Sequence, residues 1–188
     1  MSSESALPRA FLAALPDAAA RAQLSALQQV AQQALPELER GWTPAADLHL
    51  TLRFLGDLDQ AAGSHWRDFV DARPRPAPFR LVFERLDYWP PRSARLLVAC
   101  LAAEPSLSDW VTASEAQARR VGLASETRRY VPHVTLLRSG QRLQLRPAFK
   151  LAPFELGFDR LALMMRAAAS TSAAPRYACF EQWRLIDG

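Results

Sequence analysis

Two of the three histidines in this chain head the same tetrapeptide pattern, His49-Leu50-Thr51-Leu52 and His133-Val134-Thr135-Leu136. Threonine is scarce, six in 188 residues. Chance would place a threonine two residues after two of three histidines only about 0.3% of the time. Both copies lie in strand-like segments, where side chains alternate with a period of two. Each imidazole therefore shares a strand face with its threonine hydroxyl, about 7 Å along one rigid surface. A rigid strand holds such geometry better than a loop does.

That pairing suits displacement at a phosphodiester. One group must activate the attacking oxygen and another must protonate the leaving oxygen. Imidazole titrates near pH 6.5, so one ring can be neutral while its partner is charged. Each role is worth roughly 10²–10⁴ in rate. A threonine hydroxyl can donate to a non-bridging oxygen where charge develops. Two histidines alone fall short of the three or four protein ligands of a zinc site. A metal-independent, cofactor-free mechanism is expected. His65 has no threonine partner and reads as a surface or helix-packing residue.

The surrounding elements must bring the two motifs together. Residues 9–15 read as a buried strand, and 18–34 as an amphipathic helix with Asp17 as N-cap. A strand over 47–56 carries the first motif. A helix over 59–72 ends before the proline-rich 73–78. Strands follow at 79–86 and 94–101, then a helix over 107–121 capped by Ser106. A strand at 130–138 carries the second motif, and strands near 156–165 and 176–185 close the chain. Alternation puts His49, Thr51 and Arg53 on one face of their strand, with Leu48, Leu50, Leu52 and Phe54 on the core side. In the second copy, regular alternation would set Arg138 opposite His133; a bulge or strand end would change that. The mixture of helices and strands, with irregular crossovers, reads as α+β with two antiparallel-rich sheets in two lobes.

Composition agrees with a globular chain: 49% apolar and 22% charged residues. No stretch reaches the ~20 apolar residues that span a bilayer, and the N-terminus lacks the basic start of a signal peptide. Two cysteines are too few for a disulfide framework, so a cytoplasmic address with no membrane partner is expected. Net charge is +4, and all basic residues but Lys150 are arginines. Arginine forks match phosphate geometry. Arg119, Arg120, Arg128, Arg129, Arg138, Arg142 and Arg146 crowd one stretch, as a solvated face or as a rim that attracts phosphate. No obligate protein partner is implied.

The segments RAFLAALP, DLHLTLRFLGDLD, RRYVPHVTLLR and RYACFEQWRL resemble the 2H (two-histidine) phosphoesterases. They are most similar to the bacterial RNA 2′,3′-cyclic phosphodiesterases, also called the 2′-5′ RNA ligase family. The resemblance spans nearly the whole chain, 1–188, as a single bilobal domain. It implies pseudo-twofold symmetry, helices outside, and both motif strands at a central cleft. His49 would then protonate the leaving 3′-oxygen and His133 would activate water, giving a 2′-phosphomonoester on RNA ends or small cyclic nucleotides. Thr51, Thr135 and Arg138 would hold the phosphate. Tyr130, Phe54, Trp42 and Trp89 are candidates to stack on a base, with core packing as the alternative for each. Rival readings are a non-catalytic RNA-end or nucleotide-binding module, and reversible 2′-5′ ligation at the same site.

Overall fold

The computed structural model describes residues 7–144, 149, 151–167 and 175–186. Arg146 of the arginine-rich stretch lies outside them. The element order is β1 (Leu7–Pro16), α1 (Ala18–Ala34), β2 (Leu50–Leu58), α2 (Gln60–Asp71), β3 (Phe79–Trp89), β4 (Leu96–Leu101), α3 (Pro105–Arg120), β5 (His133–Arg138), β6 (Phe154–Arg166) and β7 (Tyr177–Arg184). Every element read from the sequence is present. The strand of the first motif begins at Leu50 rather than at 47, so His49 stands just before β2, and β3 continues past Leu86 through Tyr88 and Trp89 because it pairs along β4 as far as Trp89↔Leu96.

Local chemistry sets the helix starts. The Asp17 carboxylate accepts from the Ala20 backbone N–H at 2.7 Å, and Asp59 accepts from Ala62 in the same way. Each satisfies a backbone donor that the first helical turn leaves open. The cap of α3 is Glu104 rather than Ser106; its carboxylate accepts from Leu107 at 3.0 Å. Pro105 then begins the helix, a position where its missing N–H costs nothing.

The fold class is α+β, and all strand pairings are antiparallel. The two expected sheets are arms of one hydrogen-bonded sheet ordered β1-β2-β5-β4-β3-β6-β7, with β1 also pairing with β6. The long strand β6 makes the join. Phe154–Phe158 pair with β3, while the rest pairs with β1 and β7. One arm is β2-β1-β6-β7 and the other β5-β4-β3-β6. They meet a second time where β2 touches β5, at the single pairing Leu50↔Val134.

Two apolar clusters lie on opposite faces of β1. Leu12 and Ala14 belong to the main core, with Leu24 and Leu27 of α1, Trp66 and Val70 of α2, and Leu107 and Trp110 of α3. Phe11 and Ala13 belong to a smaller cluster with Ala162 and Met164, against which Leu15 and Tyr177 pack. The helices thus cover one face of the sheet, and the histidine motifs use the other. Among the described residues, no helix is long and apolar enough to cross a membrane.

Candidate active site

The contact between β2 and β5 builds the site. An antiparallel pairing of Leu50 with Val134 sets Thr51 across from His133 and Thr135 across from His49. Leu50 and Val134 are fully buried in the main core, so alternation turns both imidazoles and both hydroxyls to the opposite face. The two imidazoles are diagonal neighbours, a relation that spans about 7–8 Å between backbones. The two motif strands thus meet edge to edge, with the four side chains flanking one backbone contact.

Each imidazole is oriented in the same way. Nδ1–H of His49 donates to the Asp47 carbonyl at 2.6 Å, and Nδ1–H of His133 donates to the Val131 carbonyl at 2.8 Å. A carbonyl only accepts, so Nδ1 carries the proton in both neutral rings. Nε2 is left with the lone pair for proton transfer. Asp47 is itself buried. Its carboxylate accepts from the backbone N–H groups of Arg176 (2.7 Å) and Tyr177 (3.4 Å). One residue therefore holds His49 through its carbonyl and the start of β7 through its side chain.

Aromatic rings enclose both histidines. His49 stacks on Phe11 with centroids 4.7 Å apart and meets the edge of Tyr177 at 5.3 Å. The Trp89 ring lies 4.5 Å from that of His133. Among sequence candidates for base stacking, Trp89 therefore packs on a histidine. Tyr130 packs against the core and its hydroxyl donates to the Thr51 carbonyl at 2.9 Å. Trp42 also packs against the core; its indole N–H donates to the Leu38 carbonyl. Phe54 is different: it is 46% exposed.

A bulge explains Phe54 and corrects the expected alternation. Along β1, Leu12 pairs with Arg53 but Ala13 pairs with Thr51, so Leu52 is an extra residue in β2. Past it the faces exchange. Phe54, opposite Phe11, joins the face of Thr51. Arg53, expected beside His49, turns to the helix side and forms an ion pair with Glu115 of α3 at 2.8 Å. The second motif repeats the device. Thr135 pairs with Val98 and Leu137 with Leu97, making Leu136 the extra residue. Arg138 pairs with Leu96 and so shares the face of Thr135, not the opposite one.

Electrostatics agree with this placement. His49 is pushed down from 6.5 to about 4, first by burial and further by the positive charges of Arg138 and His133, against the Asp47 hydrogen bond that raises it. His133 is also lowered, by burial and then by Arg138, against the Val131 hydrogen bond. Elsewhere in the arginine-rich stretch, Arg119 pairs with Glu115 and Arg128 with Glu126. His65 is exposed on α2. Among the described residues, no three of His, Cys, Asp and Glu are grouped to hold a metal ion.

The buried neutral His49 has a consequence for folding. The unfolded chain takes up this proton near pH 6.5, the folded chain only near 4. The unfolded state thus binds more protons between these values, and stability falls as pH drops through that window. Urea unfolding at pH 7.5 and 4.5 should show wild type losing about 2–3 kcal/mol more than His49→Gln. Equal losses would remove the buried imidazole as the cause.

Residues 15–99 match the model of the LigT-like phosphoesterase family, a span that contains His49 and Thr51. No curated protein matches in sequence. Solved structures do. E. coli LigT in apo form is 26% identical with a TM-score of 0.71, covering 97% of this chain and all of that one. E. coli LigT complexed with 3′-AMP is 24% identical, TM-score 0.73, over 96% and 99% of the two chains. TT0787 of Thermus thermophilus is 25% identical, TM-score 0.69, over 94% and 97%. The two His-x-Thr motifs on one sheet face, the family model and these structures together support the resemblance to the two-histidine phosphoesterase superfamily. Within it, the similarity is to the LigT-like phosphoesterases.

The sequence did not single out Phe11, Asp47 or Tyr177 for the site. Asp47 gives no local signal for orienting His49, because the group it uses is a backbone carbonyl that any residue supplies, as Val131 does for His133. Phe11 and Tyr177 reach His49 from strands distant in sequence, which no local pattern reports.

Proposed function

We propose that the protein hydrolyses 2′,3′-cyclic phosphates of RNA ends or small nucleotides to 2′-phosphomonoesters. The observation that carries this reading is the Leu50↔Val134 contact, which brings the two His-x-Thr motifs side by side on one face of the sheet, as catalysis at a single phosphate would require. His133 takes a proton from water as the water attacks phosphorus. The bond to the 3′-oxygen breaks, and His49 delivers a proton to that oxygen. Thr51, Thr135 and Arg138 hold the non-bridging oxygens, where negative charge grows.

A histidine that titrates near 4 is a poor proton donor at neutral pH until substrate arrives. A phosphodiester anion about 4 Å away contributes about 4 kcal/mol at an effective dielectric of ~20. That raises the imidazole by about three pH units, to near neutrality. Substrate thus arms the acid, and the empty site holds two neutral rings.

Phe54, exposed on the same face, is the aromatic best placed to stack on a base. The E. coli LigT structures with 3′-AMP and with phosphate support a nucleotide-sized substrate. A single domain over 1–188 and the absence of an obligate protein partner remain part of this reading. The test is product analysis on 2′,3′-cyclic AMP with chelator present, against a 2′-5′ linked dinucleotide. The expected product is the 2′-monophosphate. Tight binding without turnover favours a binding module, and joined products in excess at equilibrium favour ligation.

A further inference from the structure

The second motif reaches its arginine only through the Leu136 bulge, and something must hold that bulge open. A bulge interrupts the ladder and leaves backbone groups to be satisfied elsewhere. Here the partners come from two segments outside the sheet strands. Residues 41–43 run antiparallel to the end of β5. Thr43 N–H donates to the Leu136 carbonyl at 2.9 Å, Trp42 bridges Leu137, and Arg138 N–H donates to the Gly41 carbonyl at 2.9 Å. The second contributor is Gln28 of α1. Its side-chain amide donates to the Leu136 carbonyl at 2.9 Å and to the Thr43 carbonyl at 2.9 Å.

Gln28 is unusual for its place. It is 7% exposed and lies on the buried stripe of α1 with Leu24, Leu27 and Ala31. A glutamine there costs free energy unless its amide is paired. The pairing it finds is the carbonyl of the bulged residue and the strap that borders it. Gly41 shows how tightly the strap is fitted. Its φ is +94°, and a Cβ built there would run into the Arg138 carbonyl oxygen.

We infer that Gln28 and Gly41 are positioning residues for Arg138: the Gln28 amide and the close approach of Gly41 hold the Leu136 bulge, and the bulge keeps Arg138 on the face of the two histidines. Without the bulge, regular alternation returns position 138 to the face opposite His133. This rests on the phosphate-holding role of Arg138 in the proposed function. It explains a polar residue on an apolar helix stripe that catalysis itself does not touch.

The experiment is a double-mutant cycle on 2′,3′-cyclic AMP hydrolysis, with circular dichroism and melting used to choose a temperature at which every variant is folded. Gln28→Met keeps the side-chain length and removes both hydrogen bonds. Arg138→Ala removes the guanidinium. Both single variants are expected to raise KM about tenfold or more, and the double variant should be no worse than Arg138→Ala alone, because coupled residues do not add. Gly41→Ala provides a second route to the same end and should behave as Gln28→Met does; it decides the matter if Gln28→Met does not fold. Additive losses, or wild-type KM in folded Gln28→Met and Gly41→Ala while Arg138→Ala is impaired, overturn the positioning role. Wild-type kinetics in Arg138→Ala instead remove the arginine from the proposed site, a distinct failure.

Discussion

His49→Ala and His133→Ala are each expected to lower kcat/KM for a 2′,3′-cyclic nucleotide by at least about 10²-fold, and up to about 10⁴-fold. The two variants should part company when the leaving group changes. A phosphodiester that expels 4-nitrophenolate needs no proton on its leaving oxygen. His49→Ala should therefore recover most of its loss on that substrate, whereas His133→Ala, which lacks the base, should not. The double variant should be little worse than the weaker single one, since the rings act as a unit on one phosphorus. The wild-type kcat profile should be bell-shaped. Its limb for the acid should lie well above pH 4, because bound phosphate raises His49 from the value it has in the empty site. Equal losses on both substrates would reject the assignment of acid to His49 and base to His133. Unchanged turnover in both would reject acid–base catalysis by this pair.

The sequence located each His-x-Thr pair but not all of the geometry around it. His49 with Thr51, and His133 with Thr135, are two residues apart, and a regular strand puts such residues on one face whatever its neighbours do. The same rule misassigned Arg53 and Phe54 because Leu52 is an inserted residue in the β1–β2 register. A bulge is a property of two strands together. Leu52 reads locally as one more apolar residue in an alternating run, and only its pairing with β1 shows that it does not count. Leu136 hides the position of Arg138 in the same way. The helix stripe of α1 was legible from Leu24, Leu27 and Ala31, yet Gln28 among them acquires meaning only once β5 and residues 41–43 are placed beside it. The sheet arms could be anticipated from strand count and pattern. That β6 joins them could not, since its two halves pair with different partners.

Thr135→Val is expected to reduce kcat by about 10²–10³-fold, the loss seen when one donor to a developing oxyanion is removed, with a smaller change in KM. The substitution isolates the hydroxyl. Valine keeps the β-branched shape that strands favour, and position 135 sits opposite Val98 on β4, itself fully buried. Thr135 is 9% exposed, so its hydroxyl acts away from bulk water, where a hydrogen bond to a charged oxygen gains strength. Register sets it across from His49, the side on which the proposed mechanism has the leaving oxygen depart and negative charge accumulate. A hydrogen bond that strengthens as charge moves onto the non-bridging oxygens lowers the barrier more than it tightens substrate binding. Thr51→Val should follow the same pattern with a smaller loss, since Thr51 is half-buried and water can replace part of what its hydroxyl supplies. The measurement is kcat and KM for both variants on 2′,3′-cyclic AMP, with melting temperature as the check on the fold. A rise in KM with kcat unchanged would make these hydroxyls ground-state contacts, and turnover in Thr135→Val equal to wild type would take the donor out of the mechanism.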